Sequence, residues 1–186
     1  MEEIEVPVDQ AQEKIMEEAK EARQEYRWIS WVALSSALLA VVAAVAALLA
    51  GHHANEALIE QIQSSDRWSY YQAKGIKASV LGSKVQLLKE MGRTPLKEDL
   101  EKLEQYKKDQ EDISKDAKEK EDISKGHFEV HSTFAKSVTF FQIAIAVSAI
   151  SVLIRRRRFW FVSLAFALIG VIFFGEAFLG SFGGFH

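Results

Sequence analysis

The 186-residue sequence predicts an all-α membrane protein, with three transmembrane helices and a long extramembrane antiparallel helical hairpin of coiled-coil type. Three observations predict it. Apolar residues gather in three runs, Trp28–Ala50, Ser137–Ile154 and Phe159–Leu179, whose lengths match the roughly 30 Å of bilayer hydrocarbon. A glycine-proline turn divides the charged segment between the first two runs into equal arms. Small residues recur along the runs at the spacing that lets helices approach closely in lipid. The mean hydropathy of −0.04 is therefore a cancellation between apolar spans and charged segments.

Residues 1–27 read as an acidic cytoplasmic amphipathic helix. Asp9 is placed to cap it with Gln12 at the capping-box position, and Ile15, Ala19, Ala22 and Tyr26 form one narrow apolar line. Anionic lipid repels such a helix, which suits it to copies of itself or to a protein partner. Residues 28–50 form the first span. They carry no charge, and Trp28 and Trp31 stand at the entry, where indole rings favour the interface. The long acidic segment before this run marks it as an uncleaved anchor rather than a secretory signal.

Residues 51–136 are the extracytoplasmic hairpin, with its turn at 92–94. About 31 of these 86 residues are charged, so evenly balanced that they set up no steering field. Gly92 suits the left-handed position after a helix, Thr94 an N-cap, Pro95 the first turn, and Glu98 and Asp99 the positive end of the next helix. Each arm is 41 residues, about 60 Å at 1.5 Å per residue, and is expected to continue into the neighbouring span. A break at Ser64-Ser65-Asp66 is the alternative, since these residues can cap a new helix. Ala73, Ile76, Val80, Ser83 and Leu87 are expected to face Leu96, Leu100 and Leu103 at the tip. Gly75, Ala78, Ser79 and Gly82 cost helix propensity and make sense if another helix, of this chain or of another copy, lies against them. On the return arm, Ile113, Ala117 and Ile123 are the main apolar points. The repeated EDISK, at 111–115 and 121–125, is offset by ten residues and cannot present one fixed face.

Residues 137–154 and 159–179 are the second and third spans, joined by the cytoplasmic arginine turn 155–158, with an outer tail at 180–186. Lys20, Arg23, Arg27 and Arg155, Arg156, Arg157 and Arg158 outweigh Lys120, Lys125 and Lys136, so the positive-inside rule puts the N-terminus in the cytoplasm. The four arginines fix topology and hold anionic lipid headgroups. Ala33, Ala37, Ala40, Ala44, Ala47 and Gly51 form a seam of minimal side chains on the first span. Ser137, Phe141, Ala144, Ser148 and Ser151 form a comparable line on the second. Whether the first seam closes within the chain or against another copy is open at this stage. The phenylalanines of the third span are expected to meet lipid or a neighbouring subunit.

Chemistry-bearing residues are few. Glu176 is the only acidic residue inside an apolar run, close to its outer end, where it can snorkel to headgroups. His52, His53, His127, His131 and His186 fall at the outer membrane face. His52 with Glu56, and His127 with His131, are i,i+4 pairs, and equal arms would bring Glu56 level with Val130. These four side chains, His52, Glu56, His127 and His131, are the candidate set for a divalent metal or a pH response. Trp68, Tyr70 and Tyr71 beside Arg67, Lys74 and Lys77 read as a helix-packing cluster. The absence of cysteine removes disulfides, thiolate metal sites and cysteine catalysis. A net charge of −3 gives no nucleic-acid signal, and no phosphate-binding glycine loop, HExxH or GxSxG motif occurs. No cofactor is called for.

The block GHHANEAL, at 51–58, and especially DRWSYYQAKGIK, at 66–77, resembles a family of bacterial inner-membrane proteins known as a domain of unknown function. The resemblance implies a three-span bacterial membrane protein and supplies no activity, cofactor or catalytic residue. The expected function is a non-enzymatic, homo-oligomeric scaffold or spacer that projects helical hairpins into the cell envelope. An oligomeric ion or small-solute channel lined by Glu176 and the arginines is one alternative, and an envelope metal or pH sensor another. The expected partners are membrane lipids, further copies and an envelope or cytoplasmic protein, with no nucleic acid.

Overall fold

A computed structural model describes residues 7–183. It is all-helical: α1 spans Pro7–Glu90, α2 Lys97–Leu153 and α3 Arg157–Gly183. Each helix contains a stretch long and apolar enough, by length and composition, to cross a membrane. The helix runs unbroken through Ser64-Ser65-Asp66, so no cap forms there. It is already under way at Asp9, which lies inside α1 rather than before it. The 1–6 segment and His186 lie outside the described residues.

Both connections close by the same device. After α1, the Arg93 N–H reaches the Leu88 carbonyl and the Gly92 N–H that of Lys89, with Gly92 at φ +70°. This is a Schellman motif with glycine where a left-handed residue is required. Thr94 and Pro95 lie in the connection, because α2 starts only at Lys97, with Glu98 and Asp99 in its first turn. After α2, Arg156 N–H bonds the Ser151 carbonyl and Arg155 N–H that of Val152, and here the left-handed residue is Arg155, at φ 52°. A side chain at that conformation carries strain that glycine avoids.

The chain divides into two compact units, residues 1–48 with 134–175, and residues 49–133 with 176–186. In the first unit, Trp28, Val32, Ala43 and Ala46 of α1 are buried with Phe134, Ser137, Phe141, Ala144, Ser148 and Ser151 of α2 and Ser163 and Ala167 of α3. The predicted line on the second apolar run is thus its buried face. The alanine seam on the first run is not: Ala33, Ala37, Ala40, Ala44, Ala47 and Gly51 are all exposed, and the buried residues sit one position away. Serine hydroxyls serve as small polar contacts: Ser36 and Ser148 meet at 2.6 Å, one donating to the other, and the accepting hydroxyl is free to donate to a carbonyl of its own helix. Phe140 stacks on Phe166 and Phe173, and Phe134 meets Phe174 edge-on. Part of the phenylalanine face of α3 is therefore spent within the chain, leaving Phe161 outside.

In the second unit, α1 and α2 lie antiparallel. The pairing is read from Glu60–Lys120, Arg67–Asp116, Lys74–Asp109 and Lys84–Asp99, each at 2.7–3.0 Å. Two buried serines lock it reciprocally: Ser64 donates to the Ala117 carbonyl at 2.9 Å and Ser124 to the Ala57 carbonyl at 2.8 Å. Besides His53, the buried residues of α1 in this unit are Ala50, Ala57, Ser64, Ala78 and Val85, seven apart or a multiple of seven. That is the 3.5-residue period of a coiled coil. The expected face of Ala73, Ile76, Val80, Ser83 and Leu87 is exposed instead, as are Leu96 and Leu100. The small residues Gly75 and Gly82 do meet the other arm, at Gln110 and Leu103. The EDISK copies present different faces: Ile113 is buried in the first and Ser124 in the second.

Candidate functional site

The buried line of α1 carries a histidine where its neighbours are alanine. His53, only 4% exposed, follows Ala50 and precedes Ala57 on the face that meets α2. Its Nδ1 lies 3.0 Å from Nδ1 of His127 on α2, and its Nε2 lies 3.1 Å from the Ser181 hydroxyl on α3. One imidazole thus ties three helices. One of the two facing Nδ1 atoms must carry the hydrogen, so the pair is satisfied only while at least one acceptor lone pair remains. One turn further along α2, His131 donates Nδ1–H to the Ala50 carbonyl at 2.8 Å, which fixes its tautomer. Burial, followed by the nearby His127 and His52 imidazoles, holds the His53 pKa below the usual histidine value, and Glu56 opposes this only in part.

A cavity of about 620 Å³ adjoins this cluster, lined among others by Ala57, Leu58, Gln61, Ser124, Phe128 and His131. Leu58 and Phe128 are exposed at its rim.

The four predicted metal ligands are distributed differently from the expected set. His52 is exposed and touches His53 edge-on, at 5.4 Å between ring centres. His127 faces His53, and His131 is used on the backbone. Glu56 does not come level with Val130, because Ala57 already lies opposite Ser124. The 3.0 Å separation of the two Nδ1 atoms is that of a hydrogen bond. Among the described residues no group of three or more His, Cys, Asp or Glu side chains is arranged to hold a metal ion. The heptad spacing of His53 with Ala50, Ala57 and Ser64 was the signal that His53, rather than His52, points inward.

Glu176 lies exposed on α3, inside the helix rather than at its end. Lys74 bridges the arms at Asp109 between the rings of Tyr70 and Tyr106, at 5.4 and 5.2 Å, and Trp68 meets Tyr71 edge-on. The aromatic-basic segment on the outgoing arm thus includes a helix-packing cluster.

Residues 28–180 match the family model described as a domain of unknown function, DUF4337. The chain belongs to this family. The DUF4337 match takes in all three apolar runs, both EDISK copies and His52, His53, His127 and His131, and it begins after the acidic segment. No curated protein and no solved structure matches the chain.

Proposed function

We propose that this chain is a multi-pass protein of the bacterial inner membrane, with a cytoplasmic N-terminus, spans at 28–50, 137–154 and 159–179, and extracytoplasmic paired arms, and that it acts as a non-enzymatic scaffold or spacer by assembling with copies of itself. The observation that carries this reading is a pair of unpartnered faces on α1. Ala33, Ala37, Ala40, Ala44, Ala47 and Gly51 are exposed within the first apolar run, where close backbone approach is the usual basis of association. On the outgoing arm, Ile76, Val80 and Leu87 are about 58–66% exposed at 4- and 7-residue spacing, an apolar stripe of the kind coiled coils bury. Lipid is an adequate environment for the first stripe. It is no environment for the second, which lies among charged residues.

Because the chain has no cysteine, single introduced thiols report contacts between copies without background. In membranes under mild oxidation, Val80→Cys and Ala47→Cys are expected to give disulfide-linked dimers, and Ala78→Cys and Ala46→Cys, buried one or two residues away, are expected to give none. Monomer throughout for Val80→Cys and Ala47→Cys would defeat the assembly.

The His53–His127–Ser181 junction favours a second reading, in which the assembly responds to envelope pH. A second proton on the pair would convert a hydrogen bond into a like-charge contact. Pulling α1, α2 and α3 apart at one point is the response it would produce.

A further inference from the structure

The opposite end of the apolar runs holds a second constellation. Gln24, Arg27, Trp28 and Trp31 of α1 and Arg157 and Trp160 of α3 line a cavity of about 330 Å³, and none of the six is acidic. The guanidinium of Arg157 lies 5.8 Å over the ring of Trp28, which is 7% exposed and therefore a fixed platform. Stacking of this kind orients the planar fork before any ligand arrives. Trp160 is oriented in turn by its Nε1–H, which donates to the Ser35 hydroxyl at 3.3 Å. Arg157 also opens α3, so the positive end of the helix adds to the two guanidinium charges. A second cavity, of about 430 Å³ and lined by Arg156, Arg157 and Arg158, shares Arg157 with the first.

The apolar surface beside this charge decides what kind of anion fits. From Trp31, which is 59% exposed, an exposed line continues through Leu34, Leu38 and Val41 along the uncharged run. At 1.5 Å per residue this line is about 15 Å long and starts at the cavity. An inorganic phosphate has no use for it, whereas an acyl chain attached to the phosphate does.

We propose that this cavity is a binding site for an anionic phospholipid, with the phosphate held by Arg27 and Arg157 and an acyl chain lying along Trp31, Leu34, Leu38 and Val41. The site rests on the reading of 28–50 and 159–179 as membrane spans. It goes beyond attraction of arginines to a charged surface, because it assigns two guanidiniums from different helices to one phosphate and starts the acyl path at Trp31.

The test uses the full chain in phosphatidylcholine nanodiscs, with Trp68→Phe so that Trp28, Trp31 and Trp160 are the reporting indoles. Phosphatidylglycerol with brominated acyl chains is titrated in, and indole quenching gives its half-saturation point. Arg27→Gln, and Arg27→Gln with Arg157→Gln, are expected to raise that point, the pair by about tenfold or more, the loss expected for charge-assisted bonds. Arg23→Gln removes the same charge from the same segment without lining the cavity and is expected to leave the half-point unchanged. The site is overturned if Arg23→Gln acts as strongly as Arg27→Gln, or if brominated phosphatidylcholine quenches at the same half-point. It is equally overturned if inorganic phosphate displaces the quencher as well as short-chain phosphatidylglycerol does. Wild-type chain that fails to enter nanodiscs overturns the membrane reading and the site together. Wild-type chain that enters them without lipid preference overturns the site alone.

Discussion

Gly170 gives the most direct test of how α3 is seated on α2. A Cβ added there would lie 2.7 and 2.8 Å from two ring carbons of Phe141, against the ordinary carbon contact of about 3.5–4.0 Å. Phe141 is fully buried and cannot swing away, so the helices must separate by several tenths of an ångström or the ring must leave its rotamer. Overpacking of this kind costs about 1–3 kcal/mol. Alanine also gains helix propensity over glycine, by about 1 kcal/mol in water, and that gain must be removed from the comparison. Gly175 supplies the control, since it is in the same helix and nothing lies within 4 Å of its added Cβ. In equilibrium unfolding of the full chain by sodium dodecyl sulfate in mixed micelles, Gly170→Ala is expected to be about 1–3 kcal/mol less stable than Gly175→Ala. Phe141→Leu, damaging alone, is expected to recover part of that loss in the Gly170→Ala background, a coupling that a double-mutant cycle measures. Equal stability of the two alanine variants, or strict additivity with Phe141→Leu, would refute the packing described.

Three further outcomes follow from the second unit. His53 has a folded-state pKa below its unfolded value, so the unfolded chain binds more protons in this range. The junction's contribution is complete above about pH 6.5 and is lost as pH falls through the lower folded value; His53→Asn is expected to flatten this dependence in unfolding measured across pH. Ser64→Ala and Ser124→Ala each remove a buried inter-helix hydrogen bond and are expected to cost about 1 kcal/mol apiece by denaturant titration. Their layers are separated by seven residues, about 10 Å, so the double variant is expected to lose the sum. Lys74→Glu is expected to lower the thermal midpoint by placing two carboxylates together at Asp109, and Asp109→Lys in the same chain to restore it.

The helical class, the three apolar runs and the turn at Gly92 were legible because each depends on local signals: run length, missing charge, and a glycine where φ is positive. The choice of face was harder. On the first run alanine occupies nearly every side, so a line through Ala33, Ala37 and Ala40 looks as good as the buried one, a single residue or about 100° away. Trp28, Val32 and Ser36 mark the true face, and they are not the smallest residues available. On the outgoing arm, size misled in the opposite sense. Ile76, Val80 and Leu87 look like core, yet the return arm opposite is charged, and the two arms approach through Ser64, Ala78, Gly75 and the Lys74–Asp109 pair. At the site, His52, His53, His127 and His131 do fall at one level of the paired arms, but i,i+4 spacing favoured His52 with Glu56. The register of the arms, fixed by Ser64–Ala117 and Ser124–Ala57, brings His53 inward instead. That register depends on pairings more than fifty residues apart, which no local pattern contains.

The reciprocal serines also constrain how such a chain can change in length. Ser64 and Ser124 each reach the carbonyl of an alanine seven residues from the other's anchor, and the two arms are joined by a closed turn. An insertion in one arm alone therefore carries every later layer past its partner. Length variants that keep this joint intact are expected to gain or lose residues in both arms at once, in sevens, each matched pair changing the paired length by about 10 Å.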